Sequence, residues 1–227
     1  MFYDGVITKP PLDELYHYNH NHDPKTGKFT SGNGFGNLSN NVYKEANKRV
    51  EKISDDVITA CNHTNAKMYG LENRLKTKDS ISRKIDKKSK EDNISTIKAS
   101  KDIKDAIRFT IISSDNDFVK NYQSMKSELE NKGYKETRCK NYWDLYKQGK
   151  VKHKSVQSNF STKDGYEFEI QFHTKSSQDA KNKKLPIYEE RRKVGINPKR
   201  AIELEKQMDE LALKVKDPKD IYKIKSH

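Results

Sequence analysis

The sequence predicts an α+β fold, a small mixed β-sheet of about four strands flanked by helices. Three observations predict it. Apolar residues recur at three- and four-residue spacing near both ends of the chain. Between them lie four short segments rich in β-branched and aromatic residues. A helix-patterned stretch separates the first of these segments from the other three, so the order reads α, α, β, α, β, β, β, α, α.

Residues 1–38 are expected to form a flexible polar tail. Asn, His, Gly, Lys and Pro dominate from Tyr16 to Asn37, with Gly32, Gly34 and Gly36 two apart, and such a stretch cannot bury enough apolar surface to order itself. An N-terminal helix is expected over 39–66, with Ser39 as N-cap and Val42, Ala46, Val50, Ile53, Val57 and Ala60 or Cys61 along one face. A central unit over 67–195 follows, opening with a basic stretch from Arg74 to Lys90. Its first strand is Ala106–Ile112. Asp115 or Asn116 then caps a helix carrying Phe118, Val119, Tyr122, Met125 and Leu129, which Gly133 ends. Three further strands are expected at Thr137–Trp143, Ser155–Ser161 and Tyr166–Thr174, the last two joined by a hairpin at Asp164-Gly165. Ser176 or Ser177 caps a helix carrying Lys181 and Lys183 that breaks at Pro186. Over 196–227 a C-terminal amphipathic helix and tail are expected. Its apolar face carries Ile202, Met208, Leu211 or Ala212, and Val215.

Composition narrows the function classes. Of 227 residues, 32% are hydrophobic and 35% charged, and 46 Lys plus Arg against 33 Asp plus Glu give a net charge of +13. That balance favours polyanionic partners such as nucleotides, RNA or DNA over a bare solubilising surface only weakly. No apolar run approaches the roughly 18 residues of a membrane helix, so no membrane partner is expected. The start, Met1-Phe2-Tyr3-Asp4-Gly5, lacks a secretory pattern. Two cysteines, Cys61 and Cys139, are too few for a disulfide scaffold and imply a reducing, cytosol-like compartment.

In the last strand Phe168, Ile170 and Phe172 face one way, and Glu167, Glu169, Gln171 and His173 the other. Alone, such a polar row reads as a solvated sheet face. It gains meaning from Arg74, Lys76, Lys78, Arg83 and Lys84 upstream, Asp105 at the first strand's start and Lys140 on the second. Phosphoryl-type transfer needs cations on a triphosphate and carboxylates for magnesium.

These residues resemble the RelA/SpoT-like nucleotidyltransferases, the alarmone synthetases. The stretch from Arg74 to Ile85, RLKTKDSISRKI, is similar to the family's R-x-K-x-x-x-S-I-x-R-K-M, and Ile103–Ile107 to its I-x-D-L-I segment. Lys140-Asn141-Tyr142-Trp143 resembles K-D-Y-I, and Phe168–Thr174 the E-I-Q-I-R-T strand. The likeness spans about Met68 to Lys193. It implies transfer of a pyrophosphoryl group from ATP to a ribose hydroxyl of a nucleotide or a tRNA, with Mg2+ as cofactor. Arg74, Lys76, Ser80, Arg83 and Lys84 would bind ATP. Asp105 and Glu169 would be catalytic and hold the magnesium, with Asp102 the competitor of Asp105. Lys140, His153, Gln157, Gln171 and His173 would bind the acceptor. The family's G-Y-Q-S-L-H loop reads His153-Lys154-Ser155-Val156-Gln157 here, so His153 replaces the base-stacking tyrosine and Gln157 the histidine, while His173 replaces an arginine. At this length no preceding hydrolase domain is expected.

The stretches Asp13–His17 and Asp23–Gly32 resemble the N-termini of phage head-associated proteins. They imply a phage or prophage origin, in the bacterial host's cytoplasm or with the virion, and phage virion proteins as partners; the family resemblance, which includes toxic members, adds the expectation of a toxin. The rival reading is a phage structural or cargo protein with a catalytically degenerate fold that binds nucleic acid or other virion components. A basic RNA-binding module or ribonuclease is a third. His17, His20 and His22 lack a carboxylate framework and read as polar tail rather than metal site. Cys61 and Cys139 read as packing residues, Tyr142 and Trp143 as base-stacking or edge-packing residues, and Lys87–Lys90 as a solvated loop. No phosphate loop of the G-x-x-x-x-G-K-S/T type is present.

Overall fold

The computed structural model describes residues 35–191 and 196–227. The tail expected over 1–38, with its histidines and its phage-like stretches, lies outside them up to residue 34. The elements run α1 (Phe35–Asn62), β1 (Lys67–Tyr69), a 3-10 turn (Leu71–Asn73), α2 (Lys78–Glu91), α3 (Thr96–Lys101), β2 (Arg108–Ser113), α4 (Phe118–Asn131), β3 (Lys135–Asn141), α5 (Tyr142–Lys147), β4 (Val156–Ser161), β5 (Glu167–Thr174), α6 (Lys175–Arg191), α7 (Pro198–Leu213) and a 3-10 turn (Ile221–Lys223).

The sheet is mixed and has five strands in the order β1-β2-β5-β4-β3. β2 and β5 pair in parallel, and the other pairs are antiparallel. The strand beyond the expected four is β1. Three residues are too short to show an alternation in sequence. The sheet's apolar face carries Phe109, Ile111, Phe168, Ile170 and Phe172, all essentially buried. α1 contributes Ala46, Val50, Ile53 and Val57 to this core, and α4 contributes Phe118, Tyr122, Met125 and Leu129. Tyr122 meets Phe172 edge-on at 5.2 Å, and Tyr134 meets Phe168 at 5.4 Å.

Several local expectations are corrected. Ser39 is a buried residue within α1 whose hydroxyl donates to Gly36 O, not its cap. Lys87–Lys90 is the last turn of α2, where basic side chains suit the helix's negative end. The strand expected to Trp143 stops at Asn141, whose side chain accepts from Trp143 N and Asp144 N and so starts α5. Trp143 is fully buried against Phe118 at 5.1 Å, which removes it from base stacking. α6 is capped by Thr174, the last residue of β5. Thr174 Oγ1 accepts from Ser177 N while Ser177 Oγ accepts from Thr174 N. α6 continues through Pro186 instead of breaking there. On α7 the buried residues are Ala201, Leu204 and Ala212, while Ile202 is 71% exposed, so the apolar face is rotated from the expected one.

The hairpin expected at Asp164-Gly165 is present, with Gly165 at φ +84°. Gly133 ends α4 at φ +90°, and Tyr134 N closes the helix onto Leu129 O.

Candidate active site

The sheet's other face is polar yet covered. Glu169 is 8% exposed, Gln171 6% and His173 3%, because α6 lies across it. Ser177 Oγ lies 2.9 Å from His173 Nδ1, and Lys181 Nζ donates to Gln171 Oε1 at 2.7 Å. The expectation of a solvated face fails for this tertiary reason.

Strand register arranges the face in rows. The first row across the sheet is Arg108, Glu169, Asn159 and Arg138, and the second is Thr110, Gln171, Gln157 and Lys140. Asn159 also donates to Lys104 O at 3.2 Å, tying β4 to the turn that carries Asp105.

Asp105 is positioned by chain pairing just before β2. Lys76 N donates to Ala106 O, Arg108 N donates to Arg74 O, and Leu75 bridges Ile107, so residues 74–76 run beside 106–108. Thr77 then caps α2 by accepting from Ser80 N, which places Lys84 two turns up the helix on the same side. Lys76 Nζ lies 2.8 Å from Asp105 Oδ2, and Lys84 Nζ lies 2.7 Å from Oδ1. The Lys84 contact is a charge pairing without hydrogen-bond direction, and Oδ1 finds no directed donor among the described residues. Burial pushes the Asp105 carboxyl up, but the two lysines outweigh it and hold the pKa below the usual range. Burial lowers the pKa of Lys76 despite Asp105. Asp102, the competitor, ends α3 with its side chain 43% exposed and 3.7 Å from Lys88.

The remaining candidate residues fall into separate groups. Arg74 reaches Glu51 of α1 at 2.8 Å, and its Nε has no hydrogen-bond partner among the described residues. Ser80 accepts from Arg83 at 3.3 Å on the exposed side of α2. Glu169 Oε1 accepts from Gln171 Nε2 at 2.6 Å. His153, Gln157, Gln171 and His173 all line one cavity of about 420 Å³ between the sheet, α6 and α7, together with Leu185, Met208 and Val215. Lys140 is not in that lining. It neighbours Gln157 on β3, and Arg138 and then partial burial lower its pKa. The His173 Nε2 atom is buried and finds no partner among the described residues. Burial, then Lys181 and His153, hold its imidazole neutral, well below the ordinary histidine pKa. The His153 ring tilts onto Tyr142 at 4.2 Å. Crowding by neighbours, then Lys184 and Lys181, lower its pKa too, but its exposure to solvent makes the effect smaller than at His173.

Sequence reading missed Arg108 and gave Lys181 no part. The alternation of β2, which buries Phe109 and Ile111, places Arg108 on the polar face. Ser177, Lys181, Lys184 and Tyr188, spaced three and four apart on α6, all line the cavity.

No family model and no curated protein match the chain. Solved structures do. A chain of the complex between the Type VI effector Tas1 and its immunity protein is 18% identical, with 79% of this chain and 98% of that one covered and a TM-score of 0.47. Small alarmone synthetase 1 from Bacillus subtilis bound to its product pppGpp is 15% identical, covering 75% and 88% at a TM-score of 0.48. A GTP pyrophosphokinase family protein from Streptococcus pneumoniae is 11% identical, covering 79% and 91% at a TM-score of 0.47.

Proposed function

We propose that the chain is a pyrophosphotransferase of the RelA/SpoT-like kind, moving a pyrophosphoryl group from ATP to a ribose hydroxyl of a nucleotide or tRNA. The observation that carries the reading is the convergence of Lys76 and Lys84 on Asp105, beside a sheet row that holds Arg108 and Glu169. A triphosphate arriving there exchanges one carboxylate partner of each lysine for phosphate oxygens. The acceptor oxygen attacks the β-phosphorus, the bond from that phosphorus to the α-bridging oxygen breaks, and AMP leaves. Glu169 takes the hydroxyl proton, with Gln171 orienting its carboxylate. Arg74, Ser80 and Arg83 would complete the ATP side, and Lys140, His153, Gln157, Gln171 and His173 the acceptor side.

Two carboxylates suit magnesium, which is commonly held by one or two carboxylates together with substrate phosphates. Asp105 Oδ1 retains acceptor capacity, and no group of three or more His, Cys, Asp or Glu that could hold a metal without substrate occurs among the described residues. Asp105 and Glu169 would hold the ion, which spreads the charge developing on the phosphates when bound.

The test is ATP labelled in its terminal phosphates, incubated with a nucleotide panel and with deacylated tRNA. Labelled pyrophosphorylated acceptor and AMP are expected, and Glu169→Gln lowers the rate by about 10³-fold while remaining folded. No labelled product with any acceptor overturns the reading. The rival, a phage structural or cargo protein with a degenerate fold, draws on one observation: Lys76 and Lys84 already share Asp105 as their partner. It predicts nucleic-acid or virion-component binding that Glu169→Gln leaves unchanged. Among the described residues no helix is long and apolar enough to cross a membrane, and the host cytoplasm or the virion is the proposed location.

A further inference from the structure

We propose that Lys181, on α6, is a substrate-binding residue that grips the transferred pyrophosphoryl group at the junction between the donor cations and the acceptor cavity. The inference rests on the pyrophosphotransfer reading but assigns a residue that the donor and acceptor motifs do not contain.

Lys181 reaches the row of Gln171 directly and Glu169 through it. Its Nζ donates to Gln171 Oε1 at 2.7 Å, and Gln171 Nε2 donates to Glu169 Oε1 at 2.6 Å. A continuous chain thus runs from the α6 ammonium to the carboxylate assigned as base. Lys181 also lines the cavity that holds His153, Gln157 and His173. Among the described residues no carboxylate pairs directly with it. The charged and titratable groups that face it are Arg108 from β2, Lys76 from the segment before α2, Glu169 and His173 from β5, and His153 and Lys184 at the cavity. Arg108 and Lys184 add positive charge around it and Glu169 one carboxylate, while the charge of Lys76 is met by Asp105.

A cation whose present partner is a neutral amide is poised to exchange that partner for an anion. Phosphate oxygens would gain a charge-assisted hydrogen bond where Gln171 offers a neutral one. The same exchange frees Gln171 Oε1 to accept from the acceptor while its amide continues to hold Glu169. Crowding of the ammonium by its neighbours, then Arg108, lower the Lys181 pKa to about 8, and Glu169 opposes the fall. The gripping form is the protonated one, so ATP affinity is full well below pH 8 and declines as pH rises through about 8.

Two measurements on the full chain test this. Calorimetric binding of a non-hydrolysable ATP analogue, with AMP as control, is compared for the wild type, Lys181→Met and Lys181→Arg between pH 6.5 and 9.5. Labelled transfer is measured in parallel. Lys181→Met is expected to weaken the analogue by roughly 10-fold or more and leave AMP binding unchanged. Lys181→Arg is expected to restore affinity and abolish the decline above pH 8, since a guanidinium stays charged. Unchanged analogue affinity in Lys181→Met, or a wild-type decline that Lys181→Arg keeps, overturns the inference. If the wild type binds the analogue in this Lys181-dependent way but transfers nothing, the pyrophosphotransfer reading fails and the phosphate grip stands. If no variant, wild type included, binds the analogue, both fall.

Discussion

Lys76 Nζ sits 2.8 Å from Asp105 Oδ2, with 15% of the lysine side chain and 9% of the aspartate side chain exposed. A pair this buried is held by mutual dependence rather than by net gain. Its desolvation cost nearly offsets its attraction, while loss of one partner strands the other.

Asp105→Ala is therefore expected to destabilise the fold by about 3 kcal/mol at pH 7, with Lys76 left charged and uncompensated. Urea unfolding followed by circular dichroism measures it. The folded Asp105 pKa lies below its unfolded value. Its stabilisation is present above about pH 4 and is lost as pH falls through the folded pKa. The gap between wild type and variant narrows in acid. A constant gap from pH 7 to pH 3 contradicts the ion-pair account.

His173 predicts a second pH dependence, in a different window. Its folded pKa lies well below the ordinary value, so below about pH 6.5 the unfolded chain binds a proton that the folded chain refuses. Stability falls as pH drops from about 6.5 toward 4. In His173→Gln that slope is shallower, whatever the variant's stability at pH 7. Equal slopes in the two proteins would show that His173 takes up its proton in the folded state.

Trp143 is the chain's single tryptophan, fully buried against Phe118, with its indole N–H donating to Lys216 O at 3.3 Å. Trp143→Ala is expected to cost about 3–5 kcal/mol, and Trp143→Phe less. A base-stacking residue would instead alter acceptor affinity and spare the unfolding midpoint, so denaturation and acceptor titration together separate the two roles.

Gly133→Ala forces a side chain onto a φ of +90°. A Cβ there would lie 2.6 Å from Lys163 Cε, a flexible chain end that moves aside, so the backbone supplies the cost. A loss of about 1 kcal/mol in unfolding free energy is expected, with transfer activity unchanged.

The reach of sequence reading differs from element to element. The alternation of Phe168, Ile170 and Phe172 defines β5 because a period of two survives in a strand buried on both faces. β1 has three residues and shows no period, so pairing with β2 alone defines it. Thr174 outcompetes Ser176 and Ser177 as cap because the strand's last residue and Ser177 exchange hydrogen bonds. At the site, the order of Arg74, Lys76, Lys84, Asp105 and Glu169 was legible as a motif series. Arg108 lies on the polar face that the alternation of β2 defines but belongs to no motif, and Lys181 joins the site only because α6 folds back onto Gln171.

By itself the sequence determined the α+β class, the extents of four of the five strands and of α1, α4 and α7 to within a few residues, and which strand face is polar. All three follow from local propensity and periodicity, which act over a few residues along the chain. Only the tertiary structure decided that this polar face is buried, that Asp105 rather than Asp102 meets Lys76 and Lys84, and that Lys181 reaches Gln171. Those outcomes depend on the β2–β5 register and on α6 crossing the sheet, and long-range packing rather than any local pattern sets both.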